Sequence, residues 1–116
     1  MPNLIMEYTN TLEERVNVQG LLEDLHQVVL DSGLFELNDV RSRALRYHHW
    51  LIGEHQDDAD FIHLRFELLA GRSDVQKQTL SEQLMAVLQA QASQVGSLSV
   101  DVRDMDPVGF GKRITL

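Results

Sequence analysis

The same order of patterns occurs twice in this sequence, and that repetition constrains the fold more than any single segment does. Alternating apolar and polar residues, which are typical of a β-strand, occupy 3–8 and 62–68. Each alternating run is followed by apolar residues at helical spacing: Leu21, Leu22, Leu25, Val28 and Val29 in the first half, and Leu80, Leu84, Val87 and Leu88 in the second. A further strand is predicted after each helix, at about 43–51 and at 98–103. The predicted order is therefore β-α-β, twice.

The ends of both predicted helices carry local signals. Asn17 is an N-cap residue for the first helix, and Gly33 stands where a left-handed C-cap glycine ends it. Ser73 and Gln76 have the spacing of a capping box at the start of the second helix, which Gly96 is expected to end. The polar run 53–58 is predicted to be a turn or loop between the two halves.

These elements predict one domain over residues 1–116, of class α/β (α+β). Its pseudo-repeats span about 2–51 and 60–105, and the glycine-containing tail 106–116 is expected to be irregular. Right-handed crossovers place parallel strands in a four-stranded sheet with both helices on one face. The first strand has apolar residues on both sides, so the second face of the sheet is expected to be partly apolar and to favour an oligomer.

Composition excludes several classes of function. The net charge of −8 argues against a nucleic-acid partner. Without cysteine there is no disulfide framework, thiol nucleophile or thiolate metal site. No stretch has the length and apolarity of a membrane span or a signal peptide, so a cytoplasmic protein without a membrane partner is expected. The adjacent His48 and His49 would point to opposite faces of a strand, which does not favour a shared metal ion.

Pro2 is a candidate general base. A small residue at position 2 normally allows removal of the initiator methionine, which would leave Pro2 with a secondary amine. An α-amino group titrates at about 7.7–8.0 in model peptides. Burial and nearby cations lower that pKa, because both disfavour the ammonium form. A base poised near the working pH favours proton-transfer catalysis. Many chains begin Met-Pro without this consequence, so the rest of the sequence must support the assignment.

The remaining motifs follow the order of a known enzyme family. Residues 71–77 have the pattern Gly-Arg-Ser-Asp-x-x-Lys at the start of the second predicted helix. The other matching segments are Pro2 ahead of the first strand, Ser32-Gly33-Leu34-Phe35, Val40-Arg41-Ser42-Arg43, Phe61-Ile62-His63 and Ser99-Val100-Asp101-Val102-Arg103-Asp104-Met105. Residues 71–105 closely resemble 4-oxalocrotonate tautomerase. The full pattern, over about 2–105, resembles the 5-carboxymethyl-2-hydroxymuconate isomerase family.

The resemblance implies a fold and an activity. It implies a homotrimer of β-α-β-β-α-β subunits, with three sheets enclosed by helices. It implies an enzyme that moves a double bond in an acyclic unsaturated tricarboxylate, converting an enol to a conjugated keto acid during homoprotocatechuate degradation. The partner is therefore a small anionic substrate, and neither a metal nor an organic cofactor is expected.

The resemblance also assigns roles to individual residues. Pro2 matches the catalytic base, Arg41 the arginine of the first-half motif, and Arg72 the arginine at the start of the second helix. Arg43 is near enough in sequence to contribute to substrate binding. Arginine suits this role because its planar guanidinium binds a carboxylate through two parallel hydrogen bonds and stays charged. Arg72 precedes a helix N-cap, where backbone N–H groups add positive potential.

Other interpretations remain open at this point. Arg72 is also compatible with a solvated residue near a turn, and Arg41 and Arg43 with surface charges at a strand edge. Phe35 and Trp50 are compatible with pocket walls or with ordinary packing. The His/Arg-rich strand and the tail are departures from the family pattern that could shape the pocket. The competing functions are a broad enol–keto tautomerase or related superfamily enzyme on another keto acid, and a non-catalytic trimeric binding protein.

Overall fold

The computed structural model describes residues 1–54 and 59–115. Its strands and α-helices are β1 (Asn3–Thr9), α1 (Val18–Asp31), β2 (Arg41–Tyr47), β3 (Phe61–Leu69), α2 (Asp74–Gln91) and β4 (Ser97–Met105). Short 3-10 helices lie at Asn10–Glu14, Leu37–Asp39 and Pro107–Gly109. No helix within the described ranges is long and apolar enough to cross a membrane.

The four strands form one sheet in the order β2-β1-β3-β4. Each half contributes a parallel pair joined through its helix: β1 with β2, and β3 with β4. The two halves meet where β1 and β3 pair antiparallel, with Asn3 opposite Glu67. The predicted α+β fold of two β-α-β units in one sheet is confirmed.

Buried apolar residues lie between the sheet and the helix layer. The core includes Leu4, Met6 and Tyr8 of β1, Ile62, Leu64, Phe66 and Leu68 of β3, Leu21, Leu25 and Val29 of α1, and Leu80, Leu84 and Leu88 of α2. Burying each such side chain stabilises the fold by about 1.5–3 kcal/mol before the entropy cost of ordering the chain. This layer holds both helices against one face of the sheet.

The predicted helix caps are present. The side chain of Asn17 accepts a hydrogen bond of 3.0 Å from the backbone N–H of Gly20. Ser73 and Gln76 form a reciprocal capping box at the start of α2. Gly33 has φ of +71°, the left-handed conformation expected just after α1. These local signals therefore position both helix starts and the end of α1.

The second strand and the second helix differ from their predicted bounds. β2 begins at Arg41 and ends at Tyr47, whereas the sequence predicted about 43–51. The early start follows from pairing with β1, because the N–H of Arg41 donates to the carbonyl of Pro2 at 3.0 Å. α2 ends at Gln91 rather than near Gly96. In the loop predicted at 53–58, residues 53–54 form a turn and residues 55–58 lie outside the described ranges.

The sheet face away from the helices carries both apolar and charged side chains. Leu45, which is 50% exposed, lies opposite Glu7 in register, and the rings of Tyr47 and Phe61 lie 6.1 Å apart. The partly apolar face that the sequence predicted is therefore confirmed. Glu7 accepts hydrogen bonds from Tyr47 at 2.6 Å and from Arg65 at 3.0 Å. Ile5 lies on this face but is only 5% exposed, and it is paired in register with Arg43 and Arg65 on its two sides.

Candidate active site

Pro2 is buried at one end of the sheet, immediately before β1. Because β1 runs antiparallel to β3, the start of β1 lies beside the end of β3. The loop after β3 leads directly into α2, so the topology brings Arg72 toward Pro2. Two residues that are distant in sequence thereby reach the same end of the sheet.

A cavity of about 370 Å³ lies at this end of the sheet. It is lined by Met1, Pro2, Gly33, Leu34, Phe35, Glu36, Asp39, Leu69, Arg72 and Lys112. These residues come from the N-terminus, the connection after α1, the end of β3, the start of α2 and the tail. The cavity therefore joins both halves of the chain.

Arg72 is held in this cavity wall by backbone and aromatic contacts. Its Nη2 donates to the carbonyl of Leu34 at 2.7 Å, and its Nη1 lies 3.4 Å from the carbonyl of Leu69. Its Cζ lies 4.7 Å from the centre of the Phe35 ring, a cation–π geometry. Phe35 in turn packs against Phe66, with ring centres 5.7 Å apart. Arg72 is thus an anchored cation, and Phe35 is a cavity wall that also packs on the core.

Lys112 brings a second cation into the cavity from the tail. Its Nζ lies 2.7 Å from Oδ2 of Asp39, which follows α1 in a 3-10 helix. The Lys112 hydrogen bond holds the pKa of the Asp39 carboxyl below its usual range, although burial opposes the shift. The tail therefore contributes to the cavity wall, in line with the expectation that it could shape the pocket.

The cavity environment also acts on the N-terminal amine. Burial lowers the pKa of the Met1 amine, the charges of Lys112 and Arg72 lower it further, and Asp39 raises it. An amine at this end of β1 is therefore more readily neutral than an amine in water.

The structure brings Pro2 and Arg72 together but places the side chains of Arg41 and Arg43 outside the cavity lining. Nη1 of Arg41 donates to the carbonyl of Asn38 at 2.5 Å. Arg43 donates to Oδ1 of Asn3 at 3.1 Å on the polar sheet face. Arg41 nevertheless stays next to Pro2 through the backbone hydrogen bond that starts β2.

Some site residues carry no recognisable signal in the sequence. Lys112 lies in a tail without periodicity, and Asp39 and Glu36 lie in a short polar connection. Trp50 is not in the cavity lining; its Nε1 donates to the carbonyl of Ala59 at 2.9 Å. Among the described residues, no group of three or more His, Asp or Glu is placed to hold a metal ion.

The fold and the site together define a tautomerase-like protein: two β-α-β units in one sheet, with a buried proline beside an arginine-containing cavity. Residues 2–113 match the model of the 5-carboxymethyl-2-hydroxymuconate isomerase family, and the chain belongs to that family. The family resemblance predicted from the sequence is confirmed. The protein is accordingly an isomerase.

Individual relatives agree with this assignment. The chain is 25% identical over 112 residues to 5-carboxymethyl-2-hydroxymuconate Delta-isomerase of Escherichia coli, covering 92% of this chain and 89% of the relative. A crystal structure of a 5-carboxymethyl-2-hydroxymuconate isomerase from Deinococcus radiodurans R1 superposes with a TM-score of 0.88 at 30% identity, covering 98% of this chain and 90% of that chain. A fused 4-OT wild type symmetric trimer shares the fold with a TM-score of 0.78 at 22% identity, covering 98% and 94% of the two chains.

Proposed function

We propose that this chain isomerises 5-carboxymethyl-2-hydroxymuconate to its conjugated 2-oxo isomer, with Pro2 as the base after removal of Met1. The observation that supports this most directly is the shared cavity: Pro2 is buried in its wall, and Arg72 lines the same space. Family membership supports the reaction class. The proposed setting, cytoplasmic degradation of homoprotocatechuate, rests on the family resemblance alone.

The proposed chemistry is a proton transfer through one nitrogen. The neutral Pro2 amine removes the proton of the 2-hydroxyl group, and the electron pair moves through the diene as the C2–O bond becomes a carbonyl. The same nitrogen then returns the proton to C5, which leaves the double bond conjugated with the new carbonyl. Proton removal and delivery balance, and the amine is neutral again at the end. The rigid ring of Pro2 at the start of a paired strand limits the motion that this transfer needs.

The cationic side chains would bind and polarise the substrate. Arg72 is already oriented by Leu34 and Phe35, and its remaining N–H groups are available for a substrate carboxylate or for the developing enolate oxygen. We include Arg41 as a second carboxylate-binding residue because its backbone is bonded to Pro2, and Arg43 as a further contributor on the same strand. Both side chains would have to leave their present acceptors on Asn38 and Asn3.

We also propose that the active form is a homotrimer of single-domain subunits, with pseudo-repeats at about 2–51 and 60–105 and the tail at 106–116. The fused 4-OT protein of the same fold is a symmetric trimer. β2 and β4 are the edge strands of the four-stranded sheet, and edge strands are available for pairing with another chain. A trimer would place Arg41 and Arg43 of β2 near a subunit boundary.

A second candidate is an enol–keto tautomerase that acts on a different unsaturated keto acid. The observation that favours it is the composition of the cavity. Glu36, Asp39 and Lys112 line the space together with Pro2 and Arg72, the two site residues that the family resemblance implied. Such side chains alter which substituents the site accepts without altering the proton transfer. The two candidates differ in substrate and share the base.

The test is an ultraviolet assay with 5-carboxymethyl-2-hydroxymuconate on protein whose mass shows that Met1 is absent. Pro2→Ala is expected to lower kcat by about 10²–10⁴-fold, the usual contribution of a general base. Pro107→Ala, which changes an exposed proline in the tail, is the matched control and should retain activity. Protein that retains Met1 should be inactive, because its Pro2 nitrogen is a tertiary amide without a basic lone pair.

The outcomes separate the candidates. Turnover that is lost in Pro2→Ala and kept in Pro107→Ala supports both the substrate and the base. No turnover by the Met1-free protein removes this substrate, and a panel of simpler enols then tests the second candidate. Equal activity of the Pro2→Ala variant would contradict the proline mechanism.

A further inference from the structure

Lys112 occupies an unusual position for a tail residue. Among the described residues that follow β4, it alone belongs to the cavity lining. Its side chain is 38% exposed, whereas that of its partner Asp39 is 18% exposed. A lysine ammonium has three N–H donors, and the contact with Asp39 at 2.7 Å uses one of them. Lys112 is thus a cation with spare donors at the edge of the site.

The cavity contains charges of both signs, and this matters for a ligand with several carboxylates. Asp39 and Glu36 both line the space, and they repel any anion that enters it. Arg72 is the other side-chain cation of the lining, and its guanidinium is tied to the backbone of Leu34. One fixed guanidinium can pair closely with one carboxylate. A second carboxylate in the same space needs a second cation. Lys112 is the cation of the cavity lining that can supply it, whereas the side chain of Arg41 lies outside that lining.

We propose that Lys112 is a substrate-binding residue that selects ligands with a second carboxylate, and that Asp39 holds its ammonium in place until such a ligand arrives. The ligand class is an acyclic unsaturated dicarboxylate or tricarboxylate. The inference deepens the proposed function, because it concerns the same site, and it rests on that function for the presence of a polyanionic substrate. On binding, the ammonium of Lys112 exchanges the Asp39 carboxylate for the ligand carboxylate.

A simpler role for the pair is to fasten the tail. In that case the Lys112–Asp39 ion pair would have only a structural role, and replacing either residue would change ligand binding in the same direction. The proposal predicts opposite effects instead. Removing Lys112 takes away a ligand contact, whereas neutralising Asp39 removes a competitor for the ammonium and a repelling charge.

The experiment compares two ligands that differ by one carboxylate. Muconate and sorbate are both six-carbon dienes, with two carboxylates and one carboxylate respectively, and neither has the hydroxyl group that the isomerisation needs. Their dissociation constants are measured by calorimetric titration, so the result does not depend on turnover. The variants are Lys112→Ala, Lys112→Arg and Asp39→Asn. Arg113→Ala is the matched control, since it removes an exposed cation from the same tail.

We expect Lys112→Ala to weaken muconate binding about 5–10-fold and to change sorbate binding by less than about twofold. Lys112→Arg should restore most of the muconate affinity, Asp39→Asn should strengthen it, and Arg113→Ala should leave both ligands unchanged. Thermal unfolding of each variant verifies that the fold is intact.

The proposal is overturned if Lys112→Ala and Asp39→Asn both weaken the binding of muconate and of sorbate to the same extent, which is the result expected of a purely structural ion pair. It is also overturned if Lys112→Ala has no effect, or if the unaltered protein does not bind muconate. Failure of the proposed function looks different: muconate binding would still depend on Lys112, but 5-carboxymethyl-2-hydroxymuconate would not be turned over.

Discussion

The guanidinium of Arg72 lies 4.7 Å from the centre of the Phe35 ring, so the start of α2 is tied to the connection that follows α1. The hydrogen bond from Arg72 to Leu34 at 2.7 Å reinforces the same link. Phe35 packs on Phe66 in the core, so the orientation of the arginine depends on buried packing rather than on solvent. A cation oriented in this way needs little further ordering when an anion binds.

Replacing Arg72 should therefore impair the enzyme strongly. Arg72→Ala is expected to lower kcat/KM for a polycarboxylate substrate by about 100-fold, because it removes a hydrogen-bonded charge from the site. Arg72→Lys should lower it by about 10-fold, since the charge remains but the planar group and its stacking on Phe35 are lost. Steady-state kinetics of the two variants provide the measurement.

Lys77→Ala is the control for the Arg72 prediction. Lys77 is also near the start of α2, but its ammonium bonds to Asp104 at 3.1 Å, and it is not part of the cavity lining. Its loss should leave kcat/KM within about twofold, because its ammonium is paired with Asp104 outside the cavity. A similar loss in Lys77→Ala and Arg72→Ala would mean that only the general field of the protein is involved.

The pH dependence of catalysis follows from the charges around the N-terminal amine. Burial, Lys112 and Arg72 lower the pKa of the Met1 amine from its ordinary value of 8.0, and Asp39 raises it. We expect the Pro2 nitrogen of the Met1-free enzyme to experience the same direction of shift, because Pro2 lines the same cavity. Since the base must be neutral, kcat/KM should rise with pH through a pKa below that ordinary value.

Two single substitutions should shift the pH at which kcat/KM rises, the acidic limb of the profile, in opposite directions. Lys112→Ala removes a cation that disfavours the protonated amine, so the pKa rises and the limb moves to higher pH. Asp39→Asn removes an anion that favours the protonated amine, so the limb moves to lower pH. The pH profiles of kcat/KM for the two variants provide the check. Shifts in the same direction would exclude the amine as the group that titrates.

Local sequence signals accounted for most of the fold. The caps at Asn17 and Ser73 and the alternation at 62–68 depend on residues close in sequence, and the structure has them where the pattern indicated. The start of β2 could not be read locally, because it is set by pairing with Pro2 across the sheet. The charged neighbours of Ile5 could not be read locally either, because the register of the adjacent strands places Arg43 and Arg65 beside it.

In the candidate site, too, some residues could be predicted from local motifs and others are placed only by the fold. Pro2 and Arg72 belong to recognisable motifs, and the antiparallel pairing of β1 with β3 then brings them to one end of the sheet. Lys112 has no motif, and its place depends on an ion pair with Asp39, 73 positions earlier in the chain. Contacts between residues so far apart in sequence form only in the folded chain, so no periodic pattern in the sequence predicts them.

The capping box of α2 should contribute measurably to stability. Ser73 accepts a hydrogen bond of 3.1 Å from the N–H of Gln76, and Gln76 accepts one of 2.9 Å from the N–H of Ser73. Ser73→Ala is expected to lower the free energy of unfolding by about 1 kcal/mol, because the N–H of Gln76 loses the hydroxyl oxygen that accepts its hydrogen bond. Urea unfolding at a fixed protein concentration measures the change, and exposed Ser93→Ala serves as the control. Equal midpoints for the two variants would contradict a stabilising cap.

Arg41 is joined to Pro2 through its backbone N–H, while its guanidinium donates to the carbonyl of Asn38. If Arg41 binds a substrate carboxylate, Arg41→Ala should raise KM by about 10-fold with little change in kcat, because the contact exists in both the bound substrate and the transition state. Arg43→Ala should have a smaller effect, since Arg43 is two residues further along β2 and donates to Asn3.

The stability of the Arg41→Ala variant separates binding from folding. The guanidinium contacts of Arg41 with Asn38 are exposed, so the free energy of unfolding should change by less than about 0.5 kcal/mol. An unchanged KM would remove Arg41 from the site and leave Arg72 as the arginine of the cavity. A large loss of stability would instead give Arg41 a structural role between the 3-10 helix Leu37–Asp39 and the start of β2, because its side-chain hydrogen bonds lie there.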